Sequence, residues 1–376
     1  MHTSLLGVEG ASGHVYTTRD SLPFSVEREW HLAYADSCTP DQLFVGLIDK
    51  VGQTVTPLTT MLGVVPAPMM VTRDFRLQIH PHYLSTTTPT TSISSTTTTT
   101  SSTTTTSTPP LIPGSGDHLW FRMYIVSVRG AYFKCEFEFR LVGDRVWADG
   151  SERDVTQGRD AWGKGRDRRP GRPFVGGQVG YMAVTRDPQT HRLRSAPPDS
   201  LPVAEWTARG ILHASILAED GEGWGFVVGS EEADGFKAEQ VGKGKGADVD
   251  PKTWTPLGDV YAWRSRRTDN DSLGHTTVHR RPLPFYDFAY ARIPTHRIAA
   301  LWFECATEIL PDQDCIVRGV RSLDGAGSAS TGMGEGVVRA RFVLDNGDPR
   351  GRVNRCGAWL VEKGRVRLKS AGGGSG

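Results

Sequence analysis

Residues able to do chemistry are scattered along this 376-residue chain, and few stand at a spacing that chemistry requires. His80 and His82 lie two apart, so on a strand they would share one face, as metal-binding pairs do. Pro81 between them weakens the strand, and no acid or further histidine lies close in sequence. Lys243 and Lys245 sit in a Gly-Lys tract without a GxxxxGK[ST] pattern, and no strand leads through it into a helix that would aim backbone N–H groups at a phosphate. Ser12 and Ser115 lie in glycine-rich loops without the GxSxG elbow of a serine hydrolase. Asp345 and Asp348, in LDNGDPRG, read as turn residues, because Asn-Gly and Asp-Pro are turn dipeptides. These motifs point to no catalytic constellation, no metal and no cofactor, and the chain is expected not to be an enzyme.

Cysteine and charge bound the remaining classes. The five cysteines form no CxxC pair and are odd in number, which suits reduced thiols rather than a disulfide framework. Residues 1–118 carry a net charge of −4, so the rest of the chain carries +5. Basic residues concentrate in the 153–172 loop and between Val338 and Lys369, where nine Lys and Arg face three acids. Arg365 and Arg367 alternate with Val366 and Leu368, as on a strand with one basic face. Such a face is either solvated or meets phosphate, and Arg350, Arg352, Arg355, Arg365 and Arg367 are the candidates to face RNA. The N-terminus lacks a basic region followed by an apolar one, so no secretory signal is expected. No run of 18 apolar residues occurs, and no membrane insertion is expected.

The elements that would position these residues read as strands. Phe133, Cys135, Phe137, Phe139 and Leu141 alternate with Lys134, Glu136, Glu138 and Arg140, a period of two that fits one buried and one wet face. With Trp120–Val128 before it and Arg129–Gly130–Ala131 as the turn, the pair forms a hairpin. Strands are also expected over Phe24–Tyr34, Gln42–Ile48, Met69–His80, Val175–Val184, Trp224–Val228, Val260–Arg264, Thr276–Arg280, Phe285–Tyr290, Ile298–Thr307, Cys315–Val320, Val337–Leu344, Gly357–Glu362 and Arg365–Leu368. Short helical pieces are expected at Pro57–Leu62 and within Val203–His213. Residues 85–110 are almost entirely Ser, Thr and Pro and cannot bury enough apolar surface to offset their ordering entropy. No internal repeat is visible at periods of 20–50 residues.

The order of these segments resembles the jelly-roll coat proteins of picornavirus-like RNA viruses. The resemblance is carried by MVTRDFRLQI within Met69–His80, by WFRMYIVSVRGAYFKCEFEFRLV, by PVAEWTARGILHASILAEDGEGWGFVV at Pro202–Val228, and by RRPLPFYDFAY at Arg280–Tyr290. It implies an all-β sandwich of jelly-roll type with long loops and little helix. It also implies a structural coat protein of the virion, assembled in the host cytoplasm. Its partners would be copies of itself or related coat proteins, with single-stranded RNA held through phosphate contacts. The domain plan is an arm over 1–23, one domain over 24–370 with a Ser/Thr-rich loop at 83–113, and a flexible tail over 371–376. The alternative is a non-catalytic β-sandwich binding module, for carbohydrate or a surface ligand, on a mucin-like stalk outside the cell.

Overall fold

In a computed structural model describing residues 25–32, 40–61, 69–80, 83–84, 117–142, 170–189, 193–215, 254–270, 276–277, 279–322 and 337–363, the alternating runs form one antiparallel sheet of twelve strands. They are β1 (Val26–His31), β2 (Met69–Ile79), β3 (His118–Arg129), β4 (Tyr132–Val142), β5 (Pro170–Arg186), β6 (Leu193–Ser195), β7 (Trp254–Pro256), β8 (Tyr261–Arg264), β9 (His296–Glu304), β10 (Asp314–Ser322), β11 (Val337–Asp345) and β12 (Asn354–Glu362). Three α-helices accompany them among the described residues: α1 (Pro40–Met61), α2 (Val203–Ala208) and α3 (Leu283–Arg292). The strand order is β1-β3-β4-β5-β2-β9-β12-β11-β10-β7, with β6 beside β5 and β8 beside β10.

That order contains a repeat. The first half runs strand, helix α1, then four strands, ordered 1-3-4-5-2 from the outer edge inward. The second runs β7 and β8, helix α3, then β9 to β12, and it repeats the same order as a mirror of positions about the centre. The halves join where β2 pairs antiparallel with β9, from Asp74 opposite Glu304 to Gln78 opposite Ala300. Phe75 stacks on Phe303 across this seam at 5.4 Å and meets Phe137 of β4 at the same distance.

The jelly-roll expectation is therefore wrong. A jelly roll packs two sheets face to face, whereas here helices cover one face of a single continuous sheet. Two runs expected as strands are helices. In α1, Leu43, Phe44, Leu47, Ile48, Val51 and Leu58 fall at helical spacing and are buried against the sheet. The run QLFVGLI alone is too short to separate the two periods. In α3, Pro282 and Pro284 occupy the start, where a missing N–H breaks no bond, and Phe285, Tyr286, Phe288 and Ala289 are buried. Phe285 and Phe288 both reach Phe342 of β11. Thr276 makes an isolated bridge to Asn270 and 279–280 are turn residues, so the described residues of 276–280 form no strand. The expected strands at Trp224–Val228 and Arg365–Leu368 lie outside the described residues.

The hairpin forms as read, with Gly130 at φ +59°, a left-handed turn position that suits glycine. Its second face is not wet. Glu136 and Glu138 are as buried as the phenylalanines opposite them. Glu138 is bound by Arg122 and by Arg140 (2.9 Å from Nε), while Glu136 accepts from Tyr124, Gln178 and Ser215. On a buried face, period-two polarity marks an internally paired network rather than solvent.

Phe137→Asp should prevent folding, since an unpaired buried carboxylate costs several kcal/mol against a total of about 5–15. Glu138→Lys should also be strongly destabilising, by roughly 3–5 kcal/mol, because it leaves Arg122 and Arg140 facing a third cation. Urea denaturation of Glu138→Lys with an unchanged midpoint would show that this network lies outside the folded core.

Candidate active site

The junction of the two halves brings together groups that are far apart in sequence. Asp49 and Gln53 stand one turn apart on α1; Thr277 and His279 lie in the segment that leads into α3. His279 Nδ1 lies 3.0 Å from Asp49 Oδ1, and Gln53 Nε2 donates to Asp49 Oδ2 at 2.7 Å. His279 Nε2 lies 3.5 Å from Thr277 Oγ1. The result is a hydroxyl, an imidazole and a carboxylate in succession, with the imidazole 20% exposed.

The local sequence holds this segment firmly. Thr277 N–H and Oγ1–H both donate to the Asp269 carbonyl, at 2.9 and 3.1 Å. Thr276 N–H donates to the Ile309 carbonyl, and Arg281 Nε donates to the Thr276 carbonyl. Thr276 Oγ1 is buried among Asn270, Ser265 and Ile309. Asn346 Nδ2 binds the Glu308 carbonyl and so fixes the neighbouring turn.

The hydrogen bond from His279 lowers the Asp49 carboxyl below its usual range; partial burial opposes this, and the charges of His279, Lys50 and Arg280 reinforce it. An ionised Asp49 accepting from Nδ1–H leaves Nε2 as the free, basic nitrogen. Thr277 Oγ1 has already given its hydrogen to Asp269, so Nε2 faces the hydroxyl oxygen and the space beside it. Such a base is placed to take a proton from a water.

Beside Asp49, Lys50 turns to a different environment. Its ammonium sits 5.9 Å from the Trp30 ring, at the end of an apolar slot between α1 and strands β1 and β3 lined by Trp30, Leu32, Leu43, Leu47 and Leu119. The slot holds about 10 Å³ of free space, room for no more than a water. A separate, open cleft of about 460 Å³ lies between β8 and α3, where Arg267 is bound to Asp312 at 2.9 Å and Arg264 faces Asp314 at 3.7 Å.

The residues singled out in the sequence fall elsewhere. Arg350 is exposed in a turn, its N–H on Asp348; Arg352 is bound to the same Asp348 at 2.8 Å. Arg355 lies on β12 and donates to Glu304 at 2.8 Å beside the central seam. Arg365 and Arg367 lie outside the described residues, as do His82, Lys243, Lys245, Ser12 and Ser115. Asp345 and Asp348 cap turns, as expected, by accepting from Gly347 and Arg350. Among the described residues no group of three potential metal ligands gathers, and no helix is long and apolar enough to cross a membrane. Asp49, Thr277 and His279 carried no local signal, because their relation exists only across the seam.

Strand order and helix placement are those of the hotdog fold, repeated within one chain. No protein-family profile matches the sequence, and no curated protein does. Solved structures similar to this one include thioesterases. A 12:0-ACP thioesterase from Umbellularia californica is 11% identical, over 92% of this chain and 100% of that one, at a TM-score of 0.47. An oleoyl thioesterase from Lactobacillus plantarum is 10% identical over 92% and 97%, at 0.45. An acyl-ACP thioesterase from Bacteroides thetaiotaomicron is 10% identical over 90% and 98%, at 0.44. At such scores the likeness adds nothing to the topology already traced.

Several expectations are corrected here. The two-sheet jelly roll that implied a coat protein, and the β-sandwich assumed for a binding module, are both replaced by one continuous sheet. The coat-protein reading, its location in a virion, and the alternative of a stalked binding module fall together. The expectation of a chain that is not an enzyme rested on the coat-protein resemblance and on the lack of a local motif, and the Asp49–His279 pair assembled across the seam removes the second ground.

Replacing Asp49 with Asn should free the imidazole to adopt either tautomer, visible as a changed His279 nitrogen pattern in ¹⁵N NMR. In acid, the wild-type spectrum should show the Asp49–His279 hydrogen bond breaking as pH falls through the lowered Asp49 value, below the ordinary 3.8. A His279 signal indifferent to Asp49→Asn would remove the dyad.

Proposed function

We propose that the chain is a hydrolase of activated acyl esters, with acyl thioesters as its substrates. The observation that carries this reading is the Asp49–His279–Thr277 array, built from the two halves of the chain, with Nδ1 3.0 Å from the carboxylate and Nε2 3.5 Å from the hydroxyl oxygen. Asp49 holds the imidazole with Nδ1 protonated. His279 Nε2 takes a proton from water as the water oxygen attacks the acyl carbonyl carbon. Thr277 Oγ1 and Nε2 together fix where that water sits, which lowers the entropic part of the barrier. The carbonyl then re-forms, the carbon–sulfur bond breaks, and the departing thiolate takes the proton held on His279.

The substrate class follows from having one base in the array. An alkoxide or amine leaving group needs protonation by a well-placed acid before it departs. A thiolate, whose conjugate acid has a pKa of about 8.5, leaves without it.

Thiol release from medium-chain acyl thioesters should be measurable with the purified protein. His279→Ala should lower kcat about 10²–10⁴-fold, the usual worth of a general base. Thr277→Val, which keeps the shape and removes the oxygen, should lower kcat with less effect on KM. A His279→Ala protein as active as the wild type would refute the assignment.

A further inference from the structure

The sheet edge that carries β1 holds a carboxylate the hydrolytic array does not use. Glu27 is 4% exposed and lies on the face opposite the helices. In register it stands directly across from Arg122 of β3. That arginine is committed elsewhere: its guanidinium binds Glu138 of β4, whose other oxygen is held by Arg140. Glu27 Oε1 has a long contact from Ser25 Oγ at 3.4 Å, while Oε2 is buried without a hydrogen-bond partner. Arg122 Nε is likewise buried without a partner, so the two register-paired residues do not bond to each other.

The charged groups that reach Glu27 are Arg122, which favours its ionisation, and Glu138, which opposes it. Its chain neighbour Arg28 stands across from Phe121 on the other face of β1. Burial dominates, and it pushes the Glu27 carboxyl up to about 7.

We propose that Glu27 is a proton-operated latch on edge strand β1: protonated, it lets β1 seat against β3; ionised, it loosens β1 and the floor of the slot beneath α1. Among the described residues β1 is bonded to the sheet on one side only, through β3, so it can be released without breaking a second ladder. The consequence reaches α1 because Trp30 of β1 packs on Phe121 and Phe139 and lies under Lys50, next to Asp49. The slot is closed while β1 is seated, so loosening β1 is what would admit an apolar chain beside the array. This last step rests on the hydrolase reading; the latch does not.

The sign follows from a folded pKa above the unfolded 4.5. Below 4.5 both states are protonated and β1 is fully held; as pH rises through about 7 the hold is lost. Hydrogen exchange with mass analysis, corrected for intrinsic rates, should show protection of the β1 amides falling about tenfold between pH 6 and pH 8, while β9 and β12 keep theirs. In Glu27→Gln the β1 protection should be the same at both values. Equal protection in the wild type, or the same fall in Glu27→Gln, would overturn the latch. Should Glu27→Gln fail to fold, the wild-type Glu27 carboxyl carbon can be titrated by ¹³C NMR, and a midpoint in the ordinary carboxylate range would overturn it equally. Neither readout depends on thioester hydrolysis, so a latch that works in an inactive protein separates the two proposals.

Discussion

Five residue pairs between β2 and β9 join the halves of the molecule, and everything at the candidate site depends on them. Backbone pairing there is short, so side chains reinforce it on both faces. On the helix side Phe75 stacks on Phe303 with Phe137 against it, burying aromatic area that neither half could bury alone. On the far side Glu304 gathers Arg73 and Arg355, tying β2, β9 and β12 together through a single carboxylate. With the seam in place, α1 of one half and the approach to α3 of the other are held at one distance, and Asp49 meets His279.

Close backbone approach at this centre is possible because β5 is glycine-rich. A Cβ on Gly177 would sit 1.9 Å from the Arg76 carbonyl oxygen and 2.5 Å from the Phe137 ring. At Gly180 it would meet the Tyr132 hydroxyl, which donates to Asp74 at 2.9 Å. These glycines let β2 lie between β5 and β9 without pushing the aromatic seam apart. Stability and chemistry are linked in this way: a substitution that widens the seam moves the carboxylate and the imidazole apart, although it touches neither.

The far face of the sheet shows a different balance. In the first half it buries Glu27, Glu136 and Glu138 with Arg122 and Arg140; in the second it stacks Arg339 on Trp359 and Arg341 on Trp254. Buried charge of this kind is costly unless every partner is placed, which ties its residues to one arrangement. Glu27 Oε2, like Arg122 Nε, is left without a partner, and Glu27 lies at the edge, where among the described residues the backbone is bonded on one side only. A buried group that prefers neutrality and a strand with a free side occur at the same place.

Alternation in β2, β3, β4, β5 and β9 to β12 was readable residue by residue, because period two is a local property and these strands are long. The turn at Gly130 and the caps at Asp345 and Asp348 were local as well. The short helix at Val203–Ala208 and the end of α1 near Pro57 were legible, but the rest of α1 and α3 were not: QLFVGLI and PFYDFAY are short apolar runs that suit either period, and which one wins is settled by the sheet surface they cover. The repeat escaped because the two halves share an order of elements without a shared spacing; 39 residues separate Ile79 from His118 in one half, where ten separate Glu304 from Asp314 in the other. Polarity opposite an apolar face was read as solvent exposure, and only the tertiary structure showed it to be paired and buried. Asp49, Thr277 and His279 are more than two hundred residues apart at their extremes and follow no motif. Sequence determined the strands and their turns, since backbone period and turn chemistry act over a few residues. Tertiary structure alone decided the single sheet, its seam and the array, since a hydrogen bond between distant side chains exists only when packing has fixed both.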